Sequence, residues 1–363
     1  MQMNKSLLTL FTTLVLSVSV MLLPNKLLAQ FTNIDRLIAA GQEDAQILTQ
    51  EYLKPLPSGI GAGLNAGWNS SAGARHPLGF SIQVRGSFAA VPTSAQTFDV
   101  DELSLQRLEK QNPNNDGITP TISGKEMSGQ RPTMVIRETI QGNTYEIGDL
   151  ELPPGTGFHY VPSPMIQASV GLPFHSEITG RIVPKIDLGD YGSFKMFGIG
   201  AKHEVNQYLP GGKVLPVTIS LMAGFNKINI TGNLDVPPEQ GIPRQDPNAS
   251  YDNQQVEAEF NSFTINALVG KDLPIVSVYG GVGLETSSMD LGVNGNYPVT
   301  VYEGTPPERQ VKTITDPVSF TSDGSNNVHA IVGGSLSLAI FEIMVEATLG
   351  NYSVVNAGIG FGI

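Results

Sequence analysis

Side chains that could perform chemistry are few and scattered in this sequence. The 363-residue chain has five histidines, His76, His159, His175, His203 and His329, and none has a second ligand at the i, i+4 spacing of a helical metal site. The chain has no cysteine, which excludes thiol catalysis, disulfides and thiolate zinc sites. No serine lies in the pattern of a hydrolase nucleophile. We therefore expect no enzyme activity, no cofactor and no metal centre.

One loop sequence begins like a calcium-binding motif. The segment Asn112-Pro113-Asn114-Asn115-Asp116-Gly117 spaces its oxygen-bearing side chains as an EF-hand loop does, but position twelve would be Ser123 instead of glutamate. The sequence therefore favours a solvated turn. Calcium held loosely by the acidic residues around it, or lipopolysaccharide bridged through them, is the alternative.

The composition indicates an unusual surface. Charged residues make up only 15% of the chain, compared with roughly 25% in soluble globular proteins. Glycine (40 residues) and proline (25 residues) are abundant, and the formal net charge is −12. Because nucleic-acid binding depends on basic patches that neutralise phosphates, we expect no nucleic-acid partner.

Strict alternation of apolar and polar residues predicts β-strands from residue 60 onward. The alternating segments are roughly 60–70, 78–91, 162–172, 177–187, 193–202, 215–230, 255–270, 274–290, 327–339, 341–349 and 353–363. Their polar faces are rich in Gly, Ser, Thr and Asn, and their lengths suit the roughly 9–11 residues that cross a bilayer. These features predict an all-β fold, a transmembrane antiparallel β-barrel with its apolar face toward lipid. A secreted β-sandwich is the alternative.

The number of strands and one turn follow from parity. Eleven alternating segments are visible, and a single-chain bacterial barrel needs an even number. We therefore expect a further strand in 132–152 or before Gly59, and a barrel of 12–14 strands. Inward positions are odd before 339–341 and even after it, which predicts a two-residue turn there.

The two faces should differ in their tolerance of charge. Arginine at lipid-facing Leu221 should lower the free energy of unfolding by about 2–4 kcal/mol. Arginine at lumen-facing Ser220 should lower it much less.

Loop lengths predict the orientation of the barrel. The connections at one end are short, whereas 92–161, 231–254 and 291–326 at the other end are long. Outer-membrane barrels have short periplasmic turns and longer extracellular loops. We expect a barrel over 59–363 in the cell outer membrane, with lipid as its partner and the long loops outside the cell. The oligomeric state is not determined by these patterns.

Residues 1–30 have the features of an export signal. Lys5 precedes the uncharged apolar stretch 7–23, and Ala29 offers a small residue for cleavage. An uncleaved membrane anchor is the alternative, because the apolar stretch is slightly long for a signal.

Residues 31–58 have helical rather than alternating spacing. Their apolar side chains could share one helical face and contact the inner wall of the barrel; these plug candidates are Ile34, Leu37, Ile38, Leu48 and Tyr52. The segment is interpreted either as a plug in the lumen or as a small helix pair in the periplasm.

Six charged side chains are expected to face the lumen. They are Arg85, Arg181, Lys185, Glu285, Glu342 and Glu346. Paired lumen charges of this kind would stiffen the barrel. A ladder that steers a charged substrate is the alternative.

Three short motifs carry a resemblance to a known family. They are the segment Gly59-Ile60-Gly61-Ala62-Gly63-Leu64-Asn65-Ala66-Gly67-Trp68, the segment Gly198-Ile199-Gly200-Ala201-Lys202-His203-Glu204-Val205 running into Gln207-Tyr208-Leu209-Pro210, and the ending 351–363. With these motifs the chain resembles an uncharacterised family of Bacteroidota outer-membrane barrels. That family is similar in outline to long-chain fatty-acid transporter-like barrels, which carry an N-terminal plug. The resemblance implies an outer-membrane location and passive uptake of a small apolar ligand, but identifies no binding residue.

Two functions agree with these patterns. The first is a plugged channel or transporter that admits small hydrophobic molecules. The second is a non-transporting protein that acts at the cell surface or as a docking partner in a secretion machine. A continuous apolar path beside the plug would favour the first, whereas a lumen filled by paired charges would favour the second.

Overall fold

The computed structural model describes residues 37–38, 40–126, 131–140, 143–189, 192–303, 308–324 and 326–363. The predicted export signal and plug candidate Ile34 lie outside these residues. The described chain forms two α-helices, α1 (Gln42–Leu53) and α2 (Pro55–Asn65). Among the described residues, no helix is long and apolar enough to cross a membrane.

Eighteen strands follow the helices in the described chain. In chain order they are β1 (Phe80–Ala90), β2 (Thr97–Asp99), β3 (Leu108–Lys110), β4 (Ile118–Pro120), β5 (Thr133–Ile140), β6 (Asn143–Glu151), β7 (Tyr160–Leu172), β8 (Ser176–Asp187), β9 (Ser193–Glu204), β10 (Thr218–Leu234), β11 (Gln254–Asp272), β12 (Val276–Asn294), β13 (Asn296–Glu303), β14 (Glu308–Thr315), β15 (Val318–Asp323), β16 (Asn327–Leu338), β17 (Phe341–Leu349) and β18 (Val354–Gly362).

Ten of these strands close into an antiparallel barrel, which confirms the predicted fold class. The order around the barrel is β1–β7–β8–β9–β10–β11–β12–β16–β17–β18, and β18 pairs with β1 to close it. β15 pairs with β12 beyond the end of β16. The barrel therefore has fewer strands than the 12–14 predicted.

The strand count differs because two segments were assigned wrongly. The alternating segment 60–70 is not a strand, since most of it belongs to α2, and without it the eleven predicted segments become ten. The region 132–152 does contain β5 and β6, but they pair with each other and with β3 in a separate three-stranded sheet. The barrel thus has the even number of strands that parity requires because one of the eleven predicted strands is absent from it.

The barrel exposes an apolar belt on its outer face. Successive side chains of a strand point to opposite faces, so one alternate set faces out and the other faces the lumen. On β12, outward Val282 and Leu284 are 59% and 60% exposed, while the intervening Gly283 is buried. Beyond Leu284, toward the end of β12 at Asn294, the outward positions become polar, beginning with Thr286. This pattern is that of a barrel whose outer face contacts lipid.

The two ends of the barrel differ. At one end, which we call the turn end, strands are joined by short connections, including a two-residue turn between Leu338 and Phe341. That turn is the one predicted by parity, and it places Ala339 at φ 55°. At the other end, which we call the loop end, lie the long connections 91–159, 235–253 and 295–326.

The long connections are folded rather than irregular. Together with α1 they form a structure at the loop end that we call the cap. It contains the sheet β3–β5–β6, the pair β2–β4 and the hairpin β13–β14. Arg244 of connection 235–253 forms a parallel bridge with Val311 of β14, so two long connections are joined. β10, β11 and β12 extend 17, 19 and 19 residues and carry the barrel wall up into this end.

Candidate functional site: the filled lumen

The lumen is occupied by residues 55–75, which we call the lumen segment. It consists of α2 followed by an extended stretch that reaches the turn end, where β1 begins. The polar faces of the strands surround it, and the buried side chains there include Arg85, Gln167 and Asn226. The lumen is therefore a binding site for part of the chain itself.

Glycines bring α2 into direct contact with opposite walls. A Cβ at Gly59 would lie 2.6 Å from Val161 Cγ2 of β7, and a Cβ at Gly61 would overlap Ser287 of β12. β7 and β12 are five strands apart in either direction around the ten-stranded barrel, so they face each other across the lumen. A helix with larger side chains at these positions would not fit between them. α2 thus spans the lumen at this level.

Arg181 binds the carboxyl end of α2. Its Nη1 donates to Leu64 O, its Nη2 to Ala66 O at 2.9 Å, and its Nε to Gln167 Oε1 at 2.8 Å. The last carbonyls of a helix have no partner within the helix and carry partial negative charge, so a cation there is stabilising. This fully buried guanidinium therefore satisfies backbone groups of the lumen segment.

Trp68, which follows α2, lies between a cation and a glycine surface. The guanidinium carbon of Arg181 is 3.6 Å from the centre of the Trp68 ring. On the wall, Cβ atoms at Gly200 and Gly224 would lie 2.7 and 2.5 Å from ring atoms, so only glycine lets the ring approach the wall this closely. The ring is held by a cation–π contact and by close packing.

Arg85 binds the next residues of the lumen segment. It donates to Gly67 O, to Asn69 O at 3.1 Å and to Ser70 Oγ at 2.7 Å. Its own Nε donates to Gln83 Oε1 at 2.7 Å. The wall thus recognises main-chain oxygens, as it does at the end of α2.

Glu346 binds a main-chain donor at the same level. Its Oε1 accepts from Gly67 N at 2.6 Å, and its Oε2 accepts from Tyr279 OH at 2.8 Å. Gly67 has φ 70°, and a Cβ there would overlap Asn356. Glycine is therefore required at this position both by the backbone and by the wall.

Charged pairs fix the lumen segment at the turn end. Arg75 forms a bidentate ion pair with Glu342, with distances of 2.8 and 2.7 Å. Its backbone N–H donates to Glu177 Oε2 at 3.0 Å, and Ala74 N donates to Glu204 Oε1 at 2.7 Å. Lys202 Nζ donates to Ser71 O of the lumen segment at 3.1 Å.

Five of the six predicted lumen charges lie in the interior. Besides the four already described, Glu285 is buried, and its Oε2 is 3.7 Å from His329 Nδ1. Lys185 is the exception, because it is exposed on the outside. The register of β8 and β9 shifts between Val183 and Ile186, and such an irregularity reverses the face on which later residues point. A strict period of two cannot anticipate it.

The four plug candidates within the described residues lie at the loop end, where the cluster that holds Ile38 and Tyr52 also includes Val161 of the inner wall. Leu48 is buried with residues of the three-stranded sheet such as Leu108, and Leu37 and Ile38 contact the apolar clusters at the loop end. Tyr52 OH donates to Pro154 O at 3.0 Å, and burial raises the pKa of this phenol, so it stays a donor. The lumen plug was one of two interpretations of residues 31–58, and the residues that occupy the lumen are 55–75. Residues 55–58 belong to the segment interpreted as a possible plug, whereas the rest of the chain that fills the lumen was assigned to a strand and a turn.

Several wall residues were not singled out from the sequence. Gln83, Gln167 and Lys202 lie at inward positions of predicted strands, so parity alone could have identified them. Trp68 lies in a segment that was assigned to the barrel wall and Arg75 in the connection that follows it, and no signal in the sequence pairs them with the lumen.

The calcium-like loop carries its own cation. Lys110 Nζ donates to Asp101 Oδ2 and to Asn115 O, both at 2.6 Å. The ammonium group thus occupies a place among the oxygen atoms of this loop. Across the described ranges, no group of three or more acidic or histidine side chains is placed to hold a metal ion.

Comparison with known proteins identifies the family. Residues 3–363 match a family of unknown function (DUF6588), and the chain belongs to this family. Among curated proteins, no sequence matches the chain. A Bacteroidota origin and a similarity to fatty-acid transporter-like barrels stay predictions.

Solved structures that are similar to the chain are membrane β-barrels. Ail, the attachment invasion locus protein of Yersinia pestis, is 9% identical, with 79% of this chain and 97% of that chain covered and a TM-score of 0.25. The translocator domain of autotransporter NalP from Neisseria meningitidis is 7% identical, with 84% and 91% covered and a TM-score of 0.27. A porin of Rh. blastica is 7% identical, with 78% and 100% covered and a TM-score of 0.16. Because these scores are low, the description as a barrel rests on the strand pairing of the chain itself.

Proposed function

We propose that this member of the DUF6588 family is a non-enzymatic surface protein of the outer membrane that acts through its cap, with the barrel as a closed base. The observation that carries the proposal is α2, which touches opposite walls of the lumen at Gly59 and Gly61. The chain that leaves the barrel at the loop end is folded into small sheets with an apolar core. A surface that is built and held in this way suits binding to a partner outside the membrane.

The contacts below α2 support a fixed lumen segment. The wall binds backbone carbonyls through Arg85 and Arg181, and backbone N–H groups through Glu177, Glu204 and Glu346. Hydrogen bonds to charged groups each contribute about 1.5–3 kcal/mol, and leaving a buried charge unpaired is costly. Removing the segment would expose all of these groups at once. We therefore expect the barrel to stay closed.

A disulfide between α2 and the wall strand β7 tests the proposal. The chain has no cysteine, so Gly63→Cys with Ser163→Cys would introduce the only two thiols. A Cβ at Gly63 would lie 3.1 Å from Ser163 Cβ, a few tenths of an ångström short of the usual range of about 3.5–4.5 Å, and so within reach of a small shift. In planar bilayers we expect no conductance from the wild-type protein, and none from the double variant before or after oxidation.

The same variant separates the two functions in cells. If the cap acts alone, the oxidised double variant should restore the phenotype of a strain that lacks the protein as fully as the wild type does. A variant that restores the phenotype only when reduced, and that conducts only when reduced, would show that the lumen segment must move. That result would contradict the proposal.

Uptake of small hydrophobic molecules is the second candidate function. The observation that favours it is a set of buried polar atoms beside the lumen segment that make no hydrogen bond, including Asn65 Oδ1, Trp68 Nε1 and Asn226 Oδ1. Such atoms cost free energy in a dry site, and others lie on the opposite strands at Ser163 Oγ and Asn356 Oδ1, so the contact between segment and wall is incompletely satisfied on both sides. An apolar ligand would have to pass between α2 and a largely polar wall. The conductance and complementation experiments above decide between the two candidates.

A further inference from the structure

Just above the apolar belt, the outer face of five adjacent strands is polar and concave. Lys195 of β9, Asn229 of β10, Glu259 of β11, Asp290 of β12 and Thr321 of β15 lie opposite one another in a single row. Together with the next outward row they line an open groove of about 720 Å³. The outer face of a barrel is ordinarily convex, so a groove at this position marks a departure from the regular wall.

The groove lies at the edge of the lipid-facing belt. Phe197, Phe225 and Phe263 are the outward aromatic side chains directly below it, and they are 55%, 38% and 40% exposed. Asn229 follows Phe225 by four residues on the same strand, a distance of about 13 Å along it. Aromatic girdles mark the membrane interfaces of such barrels. The groove therefore faces the layer in which lipid headgroups lie.

The groove contains one cation that is not neutralised by the protein. Lys195 is exposed and has no ion-pair partner within the described residues, whereas Lys227 nearby is paired with Glu259 at 2.6 Å. An ammonium group in this position can pair with a phosphate oxygen.

The remaining polar groups of the groove suit hydroxyl groups. Asp290 accepts a hydrogen bond from Thr321 Oγ1 at 2.5 Å and has a second carboxylate oxygen, and Asn229 Nδ2 donates to Glu259 at 3.0 Å. Asp290 carboxylate and Asn229 amide oxygens accept hydrogen bonds from hydroxyl groups, and the hydroxyls of Thr231 and Ser319 in the next row can both donate and accept. The same row contains the exposed carboxylate of Glu257 opposite Thr231, so the groove offers carboxylate, amide and hydroxyl partners for sugar hydroxyls and the ammonium group of Lys195 for a phosphate.

We propose that this outer groove binds the phosphorylated sugar headgroup of a membrane glycolipid, with Lys195 pairing with the phosphate and Asp290 accepting hydrogen bonds from sugar hydroxyls. The inference is independent of what the cap binds. It concerns the lipid-facing side of the wall, and it holds whether or not the lumen opens.

The experiment uses the full chain in lipid nanodiscs and a bisphosphorylated disaccharide lipid as the probe. Lys195→Glu should weaken binding about tenfold or more, since 1.4 kcal/mol corresponds to a factor of ten. Asp290→Asn should weaken binding of the same probe by a smaller factor. Lys312→Glu, the same charge reversal at an exposed lysine of the cap hairpin, should leave binding unchanged.

Two further probes identify the source of the phosphate. The dephosphorylated form of the same lipid should bind the wild type about as weakly as the phosphorylated lipid binds Lys195→Glu. Inorganic phosphate should not displace the phosphorylated lipid when it is added at the lipid concentration that saturates the protein. Equal binding by Lys195→Glu and the wild type, equal binding of the dephosphorylated lipid, or full competition by inorganic phosphate would each overturn the proposal. Trp68 fluorescence, unchanged in every variant, verifies that the barrel remains folded.

Discussion

Trp68 reports directly on the state of the lumen, because it is the only tryptophan of the chain. Its ring lies against Gly224, where a Cβ would come within 2.5 Å of ring atoms. We predict that Gly224→Ala moves the ring off the wall and away from Arg181, with a red-shifted emission and a lower unfolding midpoint. Gly180→Ala is the matched control, since a Cβ on that outward glycine of β8 meets nothing within 4 Å. Identical spectra for both variants would mean that the ring does not lie on this glycine surface.

Leu221 tests the outer face at the scale of one residue. It is 51% exposed in the middle of the belt, so arginine there should lower the free energy of unfolding in lipid by about 2–4 kcal/mol. Asn233→Arg, on the same strand and face but at the loop end, should cost about 0–1 kcal/mol. Equal costs, measured by urea unfolding in vesicles, would place the belt elsewhere.

The neighbouring lumen position behaves differently from the expectation of the sequence. Polarity alone predicts that Ser220 tolerates arginine. In the structure Ser220 is fully buried, and its hydroxyl donates to Ala72 O at 2.7 Å. An arginine there would displace the lumen segment, so Ser220 is no permissive control. Polar side chains on the inner wall are not exposed to solvent when another part of the chain fills the lumen.

At the scale of secondary structure, α1 fixes the cap through one carboxylate. Buried Asp44 accepts three backbone hydrogen bonds, from Gln106, Arg107 and Leu108 at 2.7, 2.8 and 2.9 Å. Asp44→Ala would leave these donors unpaired, and we predict a local loss of about 1–3 kcal/mol. Faster hydrogen exchange at residues 106–108, with an unchanged barrel, is the expected measurement.

Glu43 provides the control for this prediction. It precedes Asp44 in the first turn of α1 and is exposed, so Glu43→Ala should leave exchange in the cap unchanged. Faster exchange throughout the barrel in Asp44→Ala would show instead that cap and barrel unfold together.

The barrel strands were predictable because each has one face toward lipid and one toward the interior. Their bounds agree with the alternating segments to within a few residues. α2 was not predictable in the same way, since it touches protein on all sides and has no solvent-facing stripe to produce a helical period. Its glycines at 59, 61 and 63 alternate with larger residues, and that spacing imitates a strand. In the helix, the same spacing places small residues toward opposite walls.

The candidate site was predictable only in composition. Parity placed Arg85, Arg181, Glu342 and Glu346 in the interior, but charges in a lumen were expected to pair with one another. Of these four, only Glu342 forms an ion pair, with Arg75 of the lumen segment. The other three bind backbone groups of that segment. Backbone partners have no signature in a sequence, so the role of these side chains required the position of the chain that fills the barrel.

At the scale of the whole molecule, the path of the chain sets its topology. α1 belongs to the cap, α2 enters the lumen from the loop end, and Arg75 reaches the turn end before β1 begins. The chain therefore crosses the barrel once inside it before it forms the wall. The residues around Gln42 lie on the same side as the long connections. If these connections face the outside of the cell, so does the beginning of the described chain.

Cysteine labelling tests this path, since the chain has no cysteine of its own. Gln42→Cys at the exposed start of α1 should react with a membrane-impermeant maleimide on intact cells. Leu78→Cys, at a turn-end residue that is 87% exposed, should react only after the outer membrane is permeabilised. Labelling of both sites on intact cells would indicate a damaged membrane, whereas labelling of Leu78→Cys alone would reverse the orientation and place the cap in the periplasm. Because the lumen segment joins both sites, the pair of results fixes the direction of the segment as well as that of the barrel.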